Sequence, residues 1–181
     1  LLNGIVGGVK GGVSEGLSGV ADVGSALVGL VKNTAVNTIK GTGELVSSGV
    51  ETAASIVEGA IGGVSEVGQA AVGTIKGIAH GTVEGFIEAG GKQDDAVKGA
   101  VSQSIHSAKN LGLNVADTAV EAVTGSIDAV KKVGGDAAKA TTDSVTAALD
   151  AAKDISTEAV DAVKGSLSAS VDGAKDVIEK I

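Results

Sequence analysis

Read from Val6, residues 6 to 181 fall into sixteen consecutive eleven-residue units whose apolar and charged positions keep fixed columns. The first position of successive units reads Val6, Leu17, Val28, Ile39, Val50, Ile61, Val72, Val83, Asp94, Ile105, Ala116, Ile127, Ala138, Leu149, Val160 and Val171. Thirteen of these sixteen are Val, Ile or Leu, and they form the candidate apolar stripe. Eleven residues complete three turns at about 3.67 residues per turn, close to the natural helix, so the stripe stays almost straight instead of drifting as a heptad does. Together with positions four, seven, eight and eleven it fills an arc of roughly 130° on a helical wheel. The pattern predicts an all-α protein made of long amphipathic helices with eleven-residue (hendecad) periodicity.

The charges keep the same register. Position five holds Lys10, Lys32, Lys76, Lys98, Lys109, Lys131, Lys153, Lys164 and Lys175, nine of the 14 lysines, at the border of the stripe. There a lysine stem lies on apolar surface while its ammonium reaches water. Positions two and six hold 16 of the 22 acids, among them Glu51, Glu84, Asp95, Asp117, Asp128, Asp150, Asp161 and Asp172, which the wheel assigns to the solvated arc. Pairs such as Asp128/Lys131 and Asp150/Lys153 are three apart with the acid first, a spacing worth about 0.2 to 0.5 kcal/mol of helix stability.

Glycine changes this picture. Of the 29 glycines, 22 lie before residue 92, and each costs about 1 kcal/mol of helix propensity relative to Ala. The array thus has a Gly/Val-rich half, 1–91, and an Ala/Asp/Lys-rich half, 92–181. In the first half Gly73, Gly77, Gly81 and Gly85 form a four-apart ridge suited to close backbone approach, so that helix depends on a surface to order it. Turn signals stand near 41–43, 90–95 and 134–136. They divide the chain into four helices of about 40 residues, folded as hairpins in a bundle. The competing geometry, with the register unbroken, is a rod of roughly 270 Å or a helical filament.

Units such as those from Val72 to Gly85 and from Val160 to Leu167 resemble the eleven-residue-repeat lipid-surface proteins, the synucleins, repetitive perilipins and exchangeable apolipoproteins. The Ala/Asp/Lys/Thr-rich half is also similar to group 3 late-embryogenesis-abundant proteins. The first resemblance implies helices that order on lipid, and the second implies protection during desiccation or stress.

Composition narrows the function classes. The chain has no Cys, Met, Trp, Tyr, Pro or Arg, and Phe86 is its one aromatic residue, so disulfides and thiolate metal sites are excluded. A net charge of −8 without arginine or aromatic clusters opposes nucleic-acid binding. No stretch reaches the roughly 18 apolar residues of a membrane-spanning helix. His80 and His106 fall outside the stripe and are read as solvated. No residue pattern places a nucleophile beside an oriented base or builds a phosphate-cradling loop.

The sequence therefore predicts a non-enzymatic structural or assembly protein without a cofactor or metal, self-associating through its stripe. The alternative is a reversible coat on lipid or another apolar interface, and a third reading is a stress-protective protein. A start at Leu1 fits a mature secreted chain or a fragment, and otherwise a cytoplasmic protein at a lipid surface is expected.

Overall fold

A computed structural model describes residues 2–42, 49–68 and 72–181. Among the described residues there are nine α-helices: α1 (Leu2–Leu17), α2 (Val23–Thr42), α3 (Gly49–Glu66), α4 (Val72–Glu88), α5 (Gln93–Leu111), α6 (Val115–Lys132), α7 (Ala137–Lys153), α8 (Thr157–Ser170) and α9 (Ala174–Lys180). The longest has 20 residues, so the expected helices of about 40 residues are each cut further. Of the three expected turns, Gly90 and Gly91 lie between α4 and α5, and Gly134 to Asp136 lie between α6 and α7. Gly41 and Thr42 end α2, and Gly43 lies outside the described residues.

Four of the turns, two expected at Gly90 and Gly134 and two not at Gly68 and Gly112, share one local device. Gly68, Gly90, Gly112 and Gly134 follow one another at intervals of 22 residues, two units, and all have φ between 74° and 99°. That left-handed conformation strains any residue with a Cβ, so glycine ends the helix there. At three of these turns the next amide reaches back five residues: Gly91 N to Phe86 O at 2.9 Å, Leu113 N to Ala108 O at 2.8 Å and Gly135 N to Val130 O at 2.9 Å. Side chains cap the N-termini of α6, α7 and α8. Asn114 accepts from the amide of Asp117, Asp136 from that of Lys139 and Ser156 from that of Ala159, at 2.9 to 3.0 Å.

With α2 and α3 the exception among the described residues, each helix packs against the next helix and, more extensively in most cases, against the one two places on; extensive packing over a longer interval is absent among the described residues. Gly8, Gly12 and Gly16 of α1 face Thr38, Thr34 and Leu30 of α2, so consecutive helices run antiparallel. Gly59 and Gly63 of α3 face the backbone at Val6 and Lys10 of α1, so helices two apart run parallel. Odd-numbered helices thus form one layer and even-numbered helices the other, with the neighbour-only packing of repeat proteins. The core between the layers is Val, Ile, Leu and Ala, and Phe86 is fully buried beside the α4–α5 turn.

Burial at the first position of each unit alternates. Leu17, Ile39, Ile61, Val83, Ile105, Ile127 and Leu149, spaced by 22, are all buried. The other series starts its helices nearer their N-termini: Val6, Val28, Val72 and Val160 are half-buried and Val50 is 39% exposed. Val171, next in the buried series, is half-buried. The thirteen residues therefore form two sets that differ in burial, with one residue of each set on α1, α2, α3 and α4. All three replacements, Asp94, Ala116 and Ala138, fall in the less buried series.

We expect Ile105→Ala, which empties a fully buried site, to lose about 2 to 5 kcal/mol in urea unfolding. Val50→Ala, at an exposed site, is expected to stay within about 0.5 kcal/mol of the parent.

Candidate functional site

The seams between helices two apart are built around bare backbone. A Cβ on Gly81 of α4 would stand 2.7 Å from the Val28 carbonyl oxygen and 2.8 Å from Val31 Cβ of α2, and one on Gly85 would stand 2.9 Å from the Lys32 carbonyl oxygen. Gly77 meets the Leu27 side chain at ordinary contact distance, and among the described residues nothing lies within 4 Å of a Cβ on Gly73. Of the four ridge positions, two thus lie against backbone, one lies against a side chain and one is open. Gly59 and Gly63 repeat the arrangement against α1, 22 residues before Gly81 and Gly85. Gly99 against Val50 and Gly125 against Lys76 supply single contacts further along. The sequence reading missed these, although a Gly-x-x-x-Gly pair recurring after two units is a visible signal.

Eight of the nine border lysines are exposed: Lys10, Lys76, Lys98, Lys109, Lys131, Lys153, Lys164 and Lys175. The stem of Lys10 runs across Gly62, whose Cβ position is 3.4 Å from Lys10 Cδ. Asp150 and Lys153 stand 3.7 Å apart, whereas Asp128 lies 3.8 Å from Lys76 of the neighbouring helix α4 instead of pairing with Lys131.

Lys32, the ninth, enters a charged cluster that joins α2, α4 and α6. Its Nζ lies 3.2 Å from Glu84 Oε1 and 3.0 Å from Glu88 Oε2. Lys132 Nζ of α6 reaches the same Glu84 Oε1 at 3.1 Å and donates to Oε2 at 3.4 Å. Glu84 is 3% exposed, so its assignment to the solvated arc is corrected: the helices on both sides cover it. His80 is corrected likewise. Its side chain is 17% exposed, and Nε2 lies buried 3.2 Å from Glu84 Oε2 without the alignment of a hydrogen bond. His106 lies 3.3 Å from Asp154 with its side chain 37% exposed.

The electrostatics follow from these placements. Burial pushes the Glu84 carboxyl up, but hydrogen bonds from Lys132 and Lys32 and the charges of both lysines outweigh it, leaving its pKa below the ordinary 4.5. For His80, burial dominates the opposing pull of Glu84, and its pKa lies below the ordinary 6.5. Hydrogen bonds to Glu88 and then Glu84 raise the pKa of Lys32. The cluster thus holds a charged Glu84 between two ammonium groups, next to a neutral imidazole at neutral pH. Its direct effect is to tie three helices of one layer together.

Among the described residues, no group of three or more His, Asp or Glu side chains is placed to hold a metal ion, and no helix is long and apolar enough to cross a membrane. Comparison with protein-family models, curated proteins and solved structures yields no match.

The glycine contacts predict opposite effects for one substitution. Gly29→Ala, with nothing within 4 Å of its Cβ, should gain up to about 1 kcal/mol from helix propensity. Gly81→Ala should lose about 1 to 3 kcal/mol through overpacking against α2. Paired urea titrations check both.

Acidification is predicted to weaken the fold in two windows. His80 binds its proton more readily in the unfolded chain, so stability falls as pH drops below 6.5 towards its lower folded value. The contribution of Glu84 is complete above 4.5 and is lost as pH falls through its depressed folded value. In stability measured against pH, His80→Gln should remove the upper decline and keep the lower one. Glu84→Gln should remove the lower decline and cost about 1 to 3 kcal/mol at neutral pH.

Proposed function

We propose that this chain is a non-enzymatic structural and assembly protein in which the eleven-residue repeat serves helix-on-helix packing, first within the chain and then between copies. One observation carries the reading: the seven first-position residues from Leu17 to Leu149 are buried against the chain's own helices, so seven of the column's thirteen Val, Ile and Leu residues are already engaged within the chain. Self-association is supported by the outer side of α1. Among the described residues Gly4, Gly7 and Gly11 have no atom within 4 Å of their Cβ positions, leaving backbone as bare as that which Gly59 and Gly63 bring to α1 from the other side. By contrast α8, α9 and the elbow between them expose Glu158, Asp161, Lys164, Asp172, Lys175, Asp176, Glu179 and Lys180.

The test combines circular dichroism with sedimentation. The proposal predicts strong helix in buffer and a mass that rises with concentration, and Gly7→Glu with Gly11→Glu should return the protein to a helical monomer. A disordered monomer at high concentration contradicts the proposal. Helix that develops only on adding phospholipid vesicles selects the lipid-surface coat instead.

A further inference from the structure

We propose that the pocket bounded by α6, α7 and the elbow between α8 and α9 binds a small aliphatic α-amino acid as its zwitterion. The pocket has a volume of about 340 Å³, within the size range of small-molecule sites. Its apolar lining comes from Ile127, Ala137, Ala138 and Val171, and its charged lining from Asp128 and Lys131 of α6 and Asp172 of the elbow. An ammonium group between the two carboxylates, a carboxylate at Lys131 and a branched aliphatic side chain on Ile127 and Val171 would satisfy the lining with one molecule.

Two observations set this pocket apart from an accidental gap. The first is that its charges are not spent on each other. Lys131 and Asp172 make no ion pair or hydrogen bond through their side chains among the described residues, and Asp128 is paired only at 3.8 Å, with Lys76. The second is that two irregularities of the repeat lie at its wall. Ala138 stands at a first position in the series that holds Val6, Val28, Val50, Val72 and Val160 beside Asp94 and Ala116, and a valine there would put two more methyl groups at the pocket wall. The elbow is the other alteration. α8 ends at Ser170 with Val171 extended, and Gly173, with φ of 82°, opens α9 five residues before the position that the 22-residue series of turn glycines reaches after Gly134 and Ser156. That early break places Ser170, Val171 and Asp172 over α6 and α7. Places where a regular sequence departs from its own rule are where function is expected.

Isothermal titration of the full chain with L-leucine tests the assignment, with leucinamide and N-acetyl-leucine as probes lacking the carboxylate and the ammonium. A ligand of this size in a half-open site is expected to bind with a Kd of about 1 mM. Leucine should bind, and each analogue should bind at least about tenfold more weakly, the loss of one charged contact. Ala138→Val should abolish binding with helix content unchanged, and Asp172→Asn, on the exposed elbow, should weaken it by a similar factor of about ten. Absence of leucine binding at millimolar concentration overturns the proposal. So does equal binding of leucinamide, or binding that survives Ala138→Val and Asp172→Asn.

Discussion

Two helices that run parallel and side by side are normally held 8 to 10 Å apart by the side chains between them. Here Gly59, Gly63, Gly81 and Gly85 remove those side chains, and the helix two places earlier settles onto the bare backbone, with carbonyl oxygens of Val6, Lys10, Val28 and Lys32 at the contact. Each such glycine sacrifices about 1 kcal/mol of intrinsic helicity. What returns is close dispersion contact along both helices, and Cα–H groups brought near carbonyl oxygens. The first half of the chain is therefore helical because it is stacked. Its layers, its antiparallel turns and the intrachain burial of its apolar positions all depend on that approach.

The balance shifts along the chain. After Gly125 no glycine of α7 or α8 faces neighbouring backbone, and alanines such as Ala147 and Ala148 take the small-residue role in α7. Alanine supports helix by itself, so the second half has less need of close stacking. Side-chain caps become prominent in its place. Gln93 at the start of α5 also clasps the start of α7, donating to the Asp136 carbonyl at 2.9 Å and accepting from the Asp136 amide at 3.0 Å. That clasp aligns two parallel helices without requiring either to be bare.

Much of this was legible in the sequence and some was not. Helical character followed from the eleven-residue columns, and the turns at Gly90 and Gly134 from doubled glycines. The doubling of the repeat was present but overlooked: Asp94, Ala116 and Ala138 all fall in the series starting at Val6, and the single glycines 68 and 112 complete the run of turns. A single glycine in a helical pattern reads as a tolerated cost, and only its spacing reveals a helix end. Glu84 and His80 were out of reach for a different reason. A helical wheel gives a helix one covered side, whereas α4 contacts α2, α3, α5 and α6. With four neighbours the solvated arc shrinks, and a carboxylate assigned to water is enclosed by two lysines from other helices.

The account rests on parallel contact between helices two places apart, and a disulfide trap measures it most directly. The chain has no cysteine, and the Cβ position of Gly62 lies 3.4 Å from Lys10 Cδ across the α1–α3 seam. In dilute solution the doubly substituted chain, Lys10→Cys with Gly62→Cys, should close an intramolecular disulfide in high yield on mild oxidation, seen by mass spectrometry and non-reducing electrophoresis. A continuous helix would hold these residues about 80 Å apart. Failure to close, or closure only between chains, would contradict the stacked architecture.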